Sequence, residues 1–139
     1  MLSVTSKYAL LSLSQLAMLP RGKSMLGRNL SEKTQIPGNY LSKVMLVLRD
    51  AGMIAATRGS GGGYRLTRPA DTIRLIDVIE LFDGNAARPA CFLGGTHCSD
   101  HSACSAHQSW RGVRTSYVQF LESTTVADIT HDHENAGLR

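Results

Sequence analysis

Apolar residues recur at helical spacing through the first third of the chain. Over 3–19, Ala9, Leu13, Leu16 and Ala17 share one face, and Pro20-Arg21-Gly22 closes the helix. A shorter helix over 28–34 turns Leu30 inward, and Ile36 lies in the turn that follows. Pro37-Gly38-Asn39 then offers a proline suited to a first helical position. From there to Ala51, Leu41, Val44, Met45 and Leu48 stand at i, i+3, i+4 and i+7, the cleanest apolar stripe in the chain. The opposite face carries Asn39, Tyr40, Lys43 and Val47, and Gly52 supplies the stop. Two short helices joined by a tight turn, the second with a polar outer face, predict a helix-turn-helix.

The next segment changes character. Residues 53–58 read as a short strand, Gly59-Ser60-Gly61-Gly62-Gly63 as a turn, and Tyr64-Arg65-Leu66 as the return strand. Arg58 and Arg65 flank this hairpin and Arg68 follows it. A hairpin directly behind a helix-turn-helix predicts the wing of a winged helix, with glycines that let backbone N–H groups approach a sugar–phosphate chain. A nucleotide-binding phosphate loop would end in Gly-Lys-Ser/Thr and open a helix, whereas this turn opens a strand.

After Pro69, 73–83 reads as a helix with Leu75, Ile79 and Phe82 on one face and Gly84 at its end. Residues 85–106 are rich in Ala, Gly, Ser and Cys and cannot build a core of their own. A long helix over 107–123 carries Trp110, Val113, Tyr117 and Phe120 as a narrow stripe. With the winged helix already complete, a partner subunit is the better cover for that stripe. Thr125 and Asp128 cap a last short helix over 126–130, and a polar tail covers 131–139. The expected class is therefore mainly α, a winged helix-turn-helix with a two-stranded wing and a long C-terminal dimerisation helix. Its expected parts are a DNA-binding domain over 1–84, a cysteine-rich loop over 85–106, the dimerisation and short terminal helices over 107–130, and the tail.

Charge sharpens this division. The chain carries a formal +4, but residues 1–69 hold ten Lys/Arg against Glu32 and Asp50, a net +8. Residues 70–139 hold five Arg against nine Asp/Glu, a net −4. The basic half is suited to a polyanion, the acidic half to another task. No apolar run is long enough to cross a membrane and no secretory leader opens the chain, so a reducing cytoplasm is expected. A Ser/His/Asp set, HExxH and a phosphate loop are all missing, so the expectation is that the protein is not an enzyme.

All three cysteines fall between positions 91 and 104, in the pattern Cys91-x6-Cys98-x5-Cys104-x2-His107. An odd number of clustered cysteines in a reducing compartment argues for a metal site or a redox thiol rather than a disulfide framework. Zinc knuckles use two-residue gaps that close into a tight tetrahedral hook. These wider gaps suit a larger inorganic core, an iron–sulfur cluster, in which separate irons meet separate parts of the loop. Zinc and a metal-free thiol switch remain open on this chemistry. His97 and His101 are able ligands too, but His107 opens the long helix, so ligation there would couple the site to the dimerisation element.

These motifs together resemble the iron–sulfur-cluster-sensing winged-helix transcriptional regulators, the IscR/NsrR/RirA-like family. The resemblance spans 1–130. It rests on Ser6-Lys7-Tyr8-Ala9, Tyr40-Leu41, Leu48-Arg49-Asp50-Ala51-Gly52, Arg58-Gly59-Ser60-Gly61-Gly62-Gly63-Tyr64-Arg65-Leu66, the 73–84 helix and the three-cysteine loop. It implies a homodimer on a roughly palindromic operator in double-stranded DNA. Asn39, Tyr40, Lys43 and Arg49 would serve the recognition helix. Arg58, Gly59, Ser60, Gly61, Gly62, Gly63, Tyr64 and Arg65 would serve the wing, along the minor groove and phosphates. Cys91, Cys98 and Cys104 match cluster-ligand positions, and His107 matches the fourth ligand of the branch that carries a 2Fe–2S cluster. The six-residue first gap leaves a 4Fe–4S cluster as the alternative. The implied function is operator binding controlled by a cluster that senses iron, cluster supply, redox state or nitric oxide. A regulator that senses oxidants with metal-free thiols is the rival.

Overall fold

The computed structural model describes residues 2–88, 91–92 and 105–130. Helix α1 (Val4–Ala17) opens at Ser3, whose Oγ accepts the Ser6 N–H at 3.1 Å. Its inner face buries Ala9, Leu10, Leu13 and Leu16. Asp83, at the far end of another helix, accepts from the Ser6 hydroxyl at 2.9 Å and the Ser3 N–H at 3.4 Å. A carboxylate there also meets the positive end of the α1 dipole.

Helix α2 (Gly27–Thr34) buries Leu30 and ends at Gln35, which takes the left-handed conformation at φ 61°. That residue and Ile36, itself buried, turn the chain into α3 (Gly38–Asp50). Leu41, Val44, Met45 and Leu48 are all buried, so the predicted stripe of α3 is its core face. At about 25 cal/mol per Å² of apolar surface, each such side chain stabilises the fold by roughly 1.5–3 kcal/mol.

Strands β1 (Ile54–Thr57) and β2 (Gly63–Leu66) pair antiparallel, with Ile54 opposite Leu66 and Thr57 opposite Gly63. Met25 adds an isolated bridge to the free edge of β2, exchanging both backbone hydrogen bonds with Tyr64 at 2.9 and 2.8 Å. The wing is thus stitched to the segment between α1 and α2.

A 3-10 turn (Ala70–Thr72) leads to α4 (Leu75–Asp83), which is more deeply set than its predicted stripe. Ile76 and Val78 are buried alongside Leu75 and Ile79, and Phe82 packs on the core from its margin. A second 3-10 turn (Gly84–Ala87) follows. Helix α5 (His107–Ser123) matches its predicted span and fully buries Leu121 alone among its residues. Helix α6 (Val126–Ile129) has a complete capping box between Thr125 and Asp128. The α5–α6 link is tied to the start of α4, because Leu75 N–H donates to Thr124 O at 2.9 Å and Val126 N–H to Ile73 O at 2.8 Å. Among the described residues, no helix is long and apolar enough to cross a membrane.

Candidate nucleic-acid interface and cysteine loop

Because the apolar stripe of α3 faces the core, its other side is presented outward. Asn39, Tyr40, Lys43 and Val47 are all exposed there, the first three in the N-terminal half of the helix. Arg49 is exposed as well, but nine residues beyond Tyr40 it lies on the opposite flank. Its contact with Asp50, 3.7 Å long and open to solvent, contributes little.

Tyr40 is held by α1. Its hydroxyl hydrogen-bonds the Thr5 hydroxyl at 2.8 Å, and its ring meets Tyr8 edge-on with centroids 5.3 Å apart. Such a ring pair contributes about 0.5–1.5 kcal/mol beyond area burial. An exposed phenol fixed at both ring and hydroxyl arrives at a ligand with its rotamer already set. Sequence reading placed Tyr40 on the surface but had no signal for Thr5 or Tyr8 as its supports, since the contact spans 35 residues.

In the wing, Arg58, Ser60 and Arg65 are exposed and free to meet a phosphate chain. Gly62 and Gly63 have reasons internal to the fold. A Cβ on Gly62 would come within 2.5 Å of the Thr57 carbonyl, and one on Gly63 would overlap the Met25 backbone. Gly63 also holds a φ of 126°. Gly59 and Gly61 stand at the open outer side of the turn, with nothing near them. Tyr64 is half-buried, with its ring packed over Gly27 and against the core, so it serves the wing from beneath. Lys43, Arg58, Arg65 and Arg68 are all exposed, and the acidic residues of the stretch 2–69 are Glu32 and Asp50 alone.

Arg88 precedes the first cysteine by three positions. That guanidinium pairs with Glu80 of α4 at 2.7 Å and with Glu122 of α5, and the two carboxylates raise its already high pKa. It clamps the two helices together where the loop begins. Burial raises the pKa of the Tyr117 phenol on the same α4–α5 contact, with the Asp83 carboxylate adding to the effect.

Cys91 is half-buried, and His107, the first residue of α5, is half-buried too. Cys98, Cys104, His97 and His101 lie outside the described residues, and so does the polar tail. Phe92 packs edge-on against Trp110 with centroids 5.4 Å apart. That contact joins the residue after Cys91 to one a single helical turn beyond His107. Three thiolates and an imidazole form a soft donor set that suits an iron–sulfur cluster, and both described ends of that set are compatible with holding one.

The α5 stripe divides. Trp110 and Tyr117 are half-buried in line with Leu121, whereas Val113 and Phe120 stand 55% and 53% exposed. The second pair is rotated away from α4 and forms an uncovered apolar strip.

These features have counterparts in known proteins. The model of the Rrf2 family, described as iron-dependent transcriptional regulators, matches residues 2–132. The HTH-type transcriptional regulator IscR of Vibrio vulnificus is 31% identical over 135 residues, covering 96% of this chain and 80% of that protein. Among solved structures, T. potens IscR superposes with a TM-score of 0.73 at 26% identity, covering 100% of this chain and 92% of its own. CymR, the global cysteine regulator of B. subtilis, superposes with a TM-score of 0.78 at 22% identity, over 94% of this chain and 95% of its own. That second likeness shows the winged-helix fold alone. With nearly the whole chain matched by the family model, the protein belongs to the Rrf2 family of transcriptional regulators.

Proposed function

We propose that the protein is a homodimeric regulator in the cytoplasm that binds a palindromic operator in double-stranded DNA. Its affinity is set by an iron–sulfur cluster, 2Fe–2S by the ligand pattern, on Cys91, Cys98, Cys104 and His107. Residues 85–106 act as the sensing loop and 107–130 as the dimerisation element. One observation carries the coupling. His107 opens the same 17-residue helix that carries the uncovered Val113 and Phe120 and that anchors on α4 through Leu121. One rigid rod therefore runs from the ligand loop past the dimer strip to the DNA-binding body.

Each part then has a physical task. Lys43, Arg58 and Arg65 supply charge to phosphates, which gives affinity and salt dependence. Asn39 and the pinned Tyr40 present polar groups at the groove. Val113 and Phe120 pack against a second copy and set the separation of the two recognition helices. The Arg88 clamp transmits any change at the loop root to both α4 and α5. When bound, the cluster supplies thiolate–iron bonds that iron loss, oxidation or nitric oxide can alter. Moving between mostly competent and mostly incompetent dimers takes about 5.5 kcal/mol of differential binding, which is the scale those bonds and the helix register must provide.

The similarity to IscR proteins supports the cluster. The three clustered cysteines also admit a second reading, a metal-free regulator whose thiols sense oxidants directly. Anaerobic purification separates them. The cluster reading expects coloured protein with visible charge-transfer bands and stoichiometric iron and sulfide. Colourless protein that binds its operator fully without metal, and releases it on peroxide treatment, would establish the thiol reading instead. One zinc per chain would contradict both.

A further inference from the structure

Two exposed side chains of α3 are apolar. Leu46 stands 48% exposed and Val47 37%, adjacent in sequence and one helical turn beyond Lys43 on the outward side. Neither belongs to the core of its own chain, which α3 reaches through Leu41, Val44, Met45 and Leu48. Several polar groups beside them are already committed. The Tyr40 hydroxyl is hydrogen-bonded to Thr5 at 2.8 Å, and the Ser42 hydroxyl donates to the Gly38 carbonyl at 3.0 Å. At the far end of the face, Asp50 is answered by Arg49 at 3.7 Å. The outward side of α3 thus offers Asn39 and Lys43 for hydrogen bonding, followed by an apolar ledge.

Charge selects what can cover that ledge. Residues 1–69 hold ten Lys/Arg against Glu32 and Asp50, so this half of the chain attracts a polyanion. A duplex satisfies both requirements at once. Its phosphates answer the charge, and its major groove holds one kind of apolar group, the C5-methyl of thymine. From Asn39 to Val47 the helix rises roughly 12 Å, about three to four base-pair steps, so the polar and apolar parts of the face can meet one short stretch of groove.

We propose that Leu46 and Val47 are specificity-determining residues that pack on thymine C5-methyl groups in the major groove of the operator. The proposal rests on the operator-binding reading above. It assigns part of the choice of sequence to apolar contact, whereas Arg58 and Arg65 supply charge that is blind to sequence.

The probe is a duplex selected from a randomised library by the anaerobically purified full chain. Each thymine, with its symmetry mate, is replaced in turn by deoxyuridine, which lacks only the C5-methyl. Affinity is read by fluorescence anisotropy at fixed salt for wild type, Leu46→Ala and Val47→Ala, since alanine at an exposed helical position preserves the helix. Circular dichroism and analytical ultracentrifugation follow fold and self-association. At one thymine or more, wild type should lose about fourfold per methyl removed, the transfer value of one buried methyl. At least one alanine variant should be indifferent to that same replacement, with the wild-type salt slope. If no replacement weakens wild type, or if both variants lose as much as wild type does, the proposal fails while operator binding stands. If either variant loses helix content or self-association, the side chain is structural or a protein contact, and the proposal is overturned. A library that yields no preferred duplex overturns the operator reading and this proposal with it.

Discussion

Residues 2–84 and 105–130 solve the burial problem in different ways. In the first region the stripes of α1, α3 and α4 close on one another around Leu13, Met45 and Ile76, and the polar groups between them pair internally, as Ser6 does with Asp83. In the second, α5 fully buries only Leu121, leaves Val113 and Phe120 exposed, and holds an unpaired indole N–H at its first turn. One region is complete as a single chain. The other leaves groups for which the described residues of one chain offer no cover or partner. A reading head with a fixed shape, joined to an element whose partners can be changed, is the construction a switch requires.

Variants can break this contrast from either side. Cys98→Ala should abolish the visible bands completely, while size-exclusion chromatography still shows a folded dimer; an unfolded product would make the site structural. Phe120→Glu places a charge in the apolar strip and should weaken self-association on the order of 100-fold, about 2.7 kcal/mol, by analytical ultracentrifugation. The N-terminal core should keep its melting cooperativity in that variant. Arg58→Ala should weaken operator binding about tenfold and lower the salt slope by about one, with the spectrum unchanged. Thr5→Val should cost about threefold in specific binding, in line with one hydrogen bond of about 0.5–1.5 kcal/mol. The salt slope should stay the same, and Thr5→Ser should restore the loss. An unaltered affinity in Thr5→Val would assign that contact to packing alone.

Much of the fold could be read from the sequence because its signals are local. The stripe Leu41, Val44, Met45 and Leu48 and the turn after Thr57 each lie within a few residues, and the elements form where those patterns stand. What escaped reading depends on distant pairs. Asp83 caps α1 from 80 residues away, and a lone Met25 completes the wing edge with no strand pattern around it. The glycine run was readable as a turn. That Gly63 clears the Met25 backbone could not be seen without that bridge. Tyr64, expected at the DNA, is half-buried because period-two alternation in β2 sends it to the side opposite Arg65. The α5 stripe was readable too, but its division needed the position of α4. Of the candidate ligands, Cys91 and His107 lie among the described residues, whereas the expectation for Cys98 and Cys104 rests on their spacing in the sequence.

The coupling of loop to reading head is tested most directly by titrating one fluorescent operator duplex with the same anaerobic sample before and after cluster removal by chelator. Absorbance recorded alongside confirms the cluster's presence and loss. The account predicts a change in specific affinity of at least tenfold in one direction, with the dimer intact in both states. Equal affinity from coloured and colourless dimer would contradict it.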